Sequence, residues 1–212
     1  MLKAVIMDFD GVIIDTELAW HQITTDWFKK NHNYDLPILE FLKCVGSTDK
    51  QLFDFLEQER GIFVDRDKFR EDNHPLVLEK TKNIQAKDGV TDFIANIKNV
   101  GLKLALATSN NLSHAQGHLE RLGLIDNFDY IVTKDHVANV KPYPDLFLLA
   151  LEKLDVKQEE AIIIEDSVNG LKAGIAAGIR VINVPNEVTK YLDFTGCHAL
   201  VKNILDIDLS KL

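Results

Sequence analysis

The sequence predicts an α/β protein, a parallel-sheet core interrupted early by an all-helical insertion. Three observations predict it. Short, wholly apolar runs such as Ala4-Val5-Ile6-Met7 and Ala161-Ile162-Ile163-Ile164 read as strands buried on both faces. From residue 84 onward such runs alternate with amphipathic stretches of helical length, the pattern of a sheet covered by helices on either side. Between residues 15 and 82 the β-branched runs vanish and apolar residues recur at spacings of three and four. The expected organisation is a core of residues 1–14 and 83–212, with residues 15–82 inserted as a helical domain.

The elements follow in order. After the first strand, Thr16 and Glu17 offer a cap and a first-turn acid for a helix reaching about Lys30, which Asn31-His32-Asn33 stops. Pro37 opens a short helix. Thr48 caps another that carries Leu52, Phe53, Phe55 and Leu56 inward and ends at Gly61. A helix from Asp67 to about Lys82 closes the insertion, and Ile84 to Lys87 is the returning hinge. The cations Lys50, Arg60, Arg66, Lys68 and Arg70 read as a solvated face. The core then resumes with a helix over 89–100, a strand over 102–107, a helix over 113–122 and a strand over 130–132. A helix over 144–154, a strand over 161–164, a helix over 167–177 and a strand over 180–184 complete it.

Bulk properties narrow the function. With 212 residues, 46% hydrophobic and 27% charged, the chain has material for one sizeable core plus a small insertion and no compositional case for disorder. A net charge of -9 argues against nucleic acid, so an anionic ligand has to be gripped locally. Cys44 and Cys197 lack metal-ligand spacing and suit a reducing compartment. The chain runs from Met1 straight into a strand without a cleavable signal, and no apolar run approaches the roughly 20 residues that span a bilayer. A cytoplasmic monomer acting on a small molecule, away from membranes, is the expectation.

Polar residues cluster where strands end. Asp8 and Asp10, Thr108 and Ser109, and Glu165 and Asp166 each fall just past an apolar run, and Lys141 sits in a Val-Lys-Pro-Tyr-Pro-Asp turn stiffened by Pro142 and Pro144. Open parallel sheets bind ligands at that edge. Carboxylates forced together in a dry cleft repel unless a cation joins them, and a hard divalent ion such as Mg²⁺ suits all-oxygen ligands. A phosphate ester is the natural third party.

Asp8-Phe9-Asp10-Gly11-Val12, Thr108, Lys141-Pro142 and Glu165-Asp166-Ser167 resemble, in order, the four motifs of the haloacid dehalogenase-like hydrolase superfamily. The insertion is similar to the helical cap of the subgroup containing β-phosphoglucomutase and phosphoglycolate phosphatase. The resemblance implies a Rossmann-like parallel sheet with an inserted all-helical cap domain, a Mg²⁺ cofactor, and phosphoryl transfer from a small phosphorylated metabolite through an aspartyl phosphate. The chemistry of the residues agrees. Asp8 is the expected nucleophile and Asp10 the general acid and base; Thr108 and Lys141 are expected to stabilise the phosphoryl group. Asp8, the Asp10 carbonyl, Asp166 and Glu165, directly or through water, are expected to hold the metal. Thr16, Ser109, Asn110 and His21 are candidates to touch substrate, while Trp20 and Trp27 read as cap packing.

Other readings stay open. A phospho-receiver module also uses Asp, Mg²⁺, Thr and Lys on a parallel sheet, but it is shorter and has no early helical insertion. A dehalogenase lacks the acid that Asp10 supplies. A hexose-phosphate mutase shares the core motifs, and resembling mutases carry an arginine three residues after a cap glycine; Gly46-Ser47-Thr48-Asp49 has an acid there. The expectation is a phosphatase, with Asp15 and Glu17 in structural or capping roles.

Overall fold

The computed structural model describes residues 1–212. Strand β1 (Ala4–Met7) lies in the middle of a parallel sheet, and the chain then leaves for four helices: α1 (Glu17–His32), α2 (Ile38–Phe41), α3 (Lys50–Arg60) and α4 (Arg66–Thr81). It returns through α5 (Val90–Asn99), β2 (Lys103–Ala107), α6 (Leu112–Leu122), β3 (Tyr130–Val132) and α7 (Asp145–Leu154). It ends with β4 (Ala161–Glu165), α8 (Val168–Ala176), β5 (Arg180–Asn183) and β6 (Ala199–Leu200). The strand order is β3-β2-β1-β4-β5-β6 with every pairing parallel, so the order reverses at β1, where doubly wound sheets open a crevice. The sixth strand was not expected. Its two residues are too few to make an apolar run that could be read.

The strands are apolar throughout because both faces are covered. Alternation along β1 sends Val5 and Met7 into one core with α5 and α6, and Ala4 and Ile6 into the other with α7 and α8. The third apolar cluster, around Trp27, Phe28, Phe53, Leu56 and Phe69, belongs to α1–α4, the layer here termed the cap. Phe55 departs from expectation: it is half-buried beneath the Lys43 ammonium and the Arg60 guanidinium. The cap's cations are solvated and also paired, Lys50 with Asp54, Arg60 with Glu40, Arg66 with Asp54, Lys68 with Asp72 and Arg70 with Asp49. Solvent screens such exposed pairs and leaves them little net stabilisation, so the aromatic cluster holds this layer together.

Trp27 is buried and donates its indole N–H to Asp72 at 2.9 Å, and Trp20 is half-buried. No helix is long and apolar enough to cross a membrane. Ile163, completely buried at the centre of β4, supplies the stability test: Ile163→Ala should cost about 2–5 kcal/mol in chemical denaturation, because the sheet cannot close over the void.

Candidate active site

The site is built from three adjacent strand ends. β1 pairs with β4 so that Met7 faces Ile164, and the Asp8 N–H continues the ladder to the Ile164 carbonyl at 3.0 Å. Asp8 and Glu165 therefore emerge side by side. On the other flank β2 delivers Thr108, whose N–H is held by the Val132 carbonyl at 3.0 Å. Lys141 arrives from the loop before α7, joined to Pro142 by a cis peptide bond, and is fully buried over the Phe147 ring.

Its ammonium donates to Asp8 Oδ1 at 2.5 Å and to Glu165 Oε1 at 2.7 Å. A buried charge is tolerated only when paired, and one cation between two carboxylates still leaves an excess negative charge. Burial raises the Asp8 pKa above the usual carboxylate range, with Lys141 pulling the other way and Glu165 adding to the rise. Burial, Glu165 and Asp8 push Asp166 well up. Burial works against the Lys141 ammonium, but the two carboxylates outweigh it and raise its pKa.

The residues fit a hard divalent cation. Oxygens of Asp8, Glu165 and Asp166 lie within 4.8 Å of one another. Asp166 Oδ2 accepts from Asn186 at 2.7 Å, while Oδ1 is buried with no hydrogen-bond partner. An orphaned carboxylate oxygen among acids is a donor waiting for a cation. Gly11 makes this approach possible: at φ +90 it turns the chain, and a Cβ there would stand 2.1 Å from Asp166 Oδ2. Glu165 has a further role that the sequence did not suggest. Its Oε2 accepts from the N–H groups of Asp166 and Ser167 and from the Ser167 hydroxyl, each at 2.9 Å, while Oε1 holds Lys141. Both oxygens are engaged, so Glu165 orients the lysine and the start of α8.

Asp10 stands beyond the strand, and its side chain is held from three directions. Thr16 donates to Oδ1 at 2.7 Å, Asn110 to Oδ2 at 3.2 Å, and His114 Nε2 lies 3.0 Å from Oδ1. Burial would raise the Asp10 pKa, but His114 and the three hydrogen bonds more than offset it and keep it low. Thr16 corrects the sequence reading of a cap: it makes no side-chain bond to α1, and its buried hydroxyl donates to Asp10. Asn110 is likewise engaged with Asp10. Ser109 donates to the Gly46 carbonyl at 3.1 Å, a bond between core and cap. Thr108 accepts from the Asn110 N–H at 3.0 Å and keeps its own O–H to donate.

The structure does not bring His21 to this group. Its ring packs edge-on against Phe41, with centroids 5.0 Å apart, and burial lowers its pKa. The cap reaches the site through loop 45–47 instead. Ser47 donates to the Lys141 carbonyl at 2.5 Å, and Asn169 donates to the Val45 carbonyl at 2.7 Å. Gly46, at φ +74, lies so close to the core that a Cβ would meet Ser167 Oγ at 2.0 Å. His114, Asn186 and Ser47 carried no sequence signal beyond being polar. Glu17 is the clearest surprise, since its carboxyl makes no capping bond and is buried at the cleft, its pKa driven to about 8 by burial, then by Asp10 and Asp8. Asp15 Oδ1 is also buried without a partner.

A family model described as haloacid dehalogenase-like hydrolase matches residues 5–184. The chain is 33% identical over 210 residues to a phosphorylated carbohydrates phosphatase of Thermotoga maritima, covering 95% of this chain and 94% of the relative. It is 31% identical over 196 residues to a β-phosphoglucomutase of Bacillus subtilis, covering 86% and 83% respectively. Among solved structures, CbbY from Rhodobacter sphaeroides in complex with phosphate superimposes with a TM-score of 0.79 at 28% identity, covering 96% of this chain and 95% of that one.

Glu17 gives a pH test. Its folded pKa lies far above the unfolded value of about 4.3, so its stabilising, protonated form is lost as pH rises toward about 8. In chelator, Glu17→Gln should unfold at a urea concentration that pulls progressively ahead of wild type from pH 5 to 8.5. Parallel curves would contradict the assignment.

Proposed function

The chain belongs to the haloacid dehalogenase-like hydrolase family and is a phosphomonoester hydrolase, and we propose that it hydrolyses a small sugar phosphate or phosphoglycolate-like ester through an aspartyl phosphate on Asp8. The observation that carries this reading is the pairing of a buried strand-end carboxylate, braced on one oxygen by Lys141, with a second acid, Asp10, fixed beside it.

Asp8 attacks phosphorus with the oxygen that Lys141 leaves free. An Asp8 oxygen–phosphorus bond forms, the ester oxygen–phosphorus bond breaks, and Asp10 gives the departing oxygen its proton. Water then attacks the phosphoryl group, Asp10 takes its proton, and phosphate leaves with Asp8 restored. Thr108 donates its hydroxyl to a phosphoryl oxygen and Lys141 supplies fixed positive charge, the positioning and charge stabilisation on which phosphoryl transfer mainly depends. Asp8, the Asp10 carbonyl and Asp166 would hold Mg²⁺, with Glu165 reaching it through water; the ion supplies positive charge against the phosphoryl oxygens.

A mutase shares this machinery but has to grip a second phosphate in the cap. There, Asp49 is locked by two bonds from Arg70, at 3.0 and 2.9 Å, and Lys50 is paired with Asp54. The acid is not the bare repulsive charge its sequence position suggests. Equally, the arginine that could replace the mutase cation is committed to neutralising it, and the pair offers a distal phosphate almost no net attraction. The phosphatase reading stands on that.

Two measurements check it. Across a panel of phosphorylated sugars, polyol phosphates and phosphoglycolate, phosphate release should need a divalent metal and disappear in excess chelator. Asp8→Asn should lack turnover on every member, whereas near-normal rate would mean another nucleophile. Supplied with β-glucose 1-phosphate and a trace of the 1,6-bisphosphate, the protein should release phosphate faster than it forms glucose 6-phosphate; the reverse ratio would make it a mutase.

A further inference from the structure

Asp10 lies outside β1 in a turn pinned by a bridge to Ile14, whose bonds fix the main chain but not the side chain, yet an acid that serves both halves of the reaction needs one fixed orientation. Most of what could fix it is unexceptional: Thr16 begins α1, and Asn110 sits in the loop after β2. His114 is different. It is on the first turn of α6, where its neighbours Ala115 and Leu119 face the apolar core.

The ring is held on its other faces too. Phe9 meets it edge-on, with centroids 5.6 Å apart at 88°, and His118, one turn along the helix, meets it at 4.9 Å and 68°. His118 Nδ1 is in turn 3.1 Å from Arg121 Nη2, and Arg121 also donates to the Ile84 carbonyl in the chain returning from the cap. Three polar side chains therefore occupy one face of α6, running from the cap–core hinge to Asp10. A helix face of that composition is costly to half-bury unless each group is partnered, and here each one is.

We propose that His114 is the positioning residue for Asp10: it keeps the carboxyl aimed at the leaving-group oxygen, with His118 and Arg121 bracing its ring. The claim rests on the reading of Asp10 as the general acid. It concerns orientation, since His114 Nε2 shares Oδ1 with Thr16 while Asn110 takes Oδ2, and removing His114 takes away one of the three contacts that fix how the carboxyl is turned.

The test is a leaving-group series that runs from p-nitrophenyl phosphate, whose phenolate departs without help, to glycerol phosphate, whose alkoxide needs a proton. The value to compare is kcat/KM, because it ends at formation of the phosphoenzyme. His114→Phe keeps the ring and its packing but removes the donor. It should lose about 10- to 100-fold on the alkyl ester and less than about threefold on p-nitrophenyl phosphate, the size of effect expected when a reacting group is misplaced. His114→Gln, which restores a donor, should recover most of the loss.

Asp10→Asn is the reference. If it steepens the leaving-group dependence and His114→Phe does not, the role of His114 is refuted while Asp10 remains the acid. If Asp10→Asn also leaves the dependence unchanged, the reading of Asp10 fails and this inference falls with it. Equal losses from His114→Phe on both esters would show general damage to the site and would refute positioning.

Discussion

The structure depends on one buried ammonium. Lys141 is bonded to the acids at the ends of β1 and β4, and it answers two carboxylates at once. Fully removing an ion from water costs several kcal/mol even after relaxation, and a single partner ordinarily repays it only when the geometry is excellent. Sharing Lys141 makes the arrangement tolerable without making it neutral. Asp166 and Glu17 stand nearby with no cation of their own, both titrating high because burial penalises their charge. The fold thus carries an electrostatic deficit at one edge of its sheet, and a divalent ion is the simplest way to remove it.

Closure of the cap follows from the same scarcity of partners. Loop 45–47 brings carbonyls and a hydroxyl to the core, neutral groups that bond Ser109, Asn169 and the Lys141 carbonyl without adding charge. Lys50, Arg60, Arg66, Lys68 and Arg70 of the cap are spent on acids along its surface. What it contributes to the site is therefore shape and exclusion of water, which strengthens the electrostatic interactions inside. Gly46 sets how near that loop can come, since any side chain would collide with Ser167.

Much of this was legible in the sequence, for a physical reason. Buried parallel strands are short and apolar without interruption, so their ends are visible, and the residues just past those ends are the site. Asp8, Asp10, Thr108, Lys141, Glu165 and Asp166 could be read that way. Their division of labour could not: Glu165 becomes the orienter of Lys141 through bonds to main-chain N–H groups that only the turn into α8 brings together. Thr16 looks like a helix cap by local rules, but its backbone is already helical, at φ -88 and ψ -16, so its hydroxyl accepts no N–H of α1 and instead donates to Asp10. His21 has helical spacing and a useful side chain, and only packing against Phe41 reveals where it is spent. His114 gave no signal because its partner lies 104 positions away along the chain.

Phosphate recognition by a chain of net charge -9 then becomes a local problem. The exposed acids repel an anionic substrate at long range, but beyond about 8 Å at physiological ionic strength that repulsion is screened. Within the cleft screening is weak, and the sign of the site is decided by very few groups. Once ionised to hold a cation, Asp8, Glu165 and Asp166 outnumber Lys141 by two charges, an excess that a doubly charged ion offsets, while Asp10 faces His114. The phosphoryl group then meets neither strong attraction nor repulsion at rest, which suits a catalyst. Binding that tightens only as charge shifts toward the leaving oxygen lowers the barrier, whereas equal affinity for substrate and transition state does not. The precision therefore has to come from orientation, and it is the groups that aim Asp8 and Asp10, more than the number of cations, that give this site its reactivity.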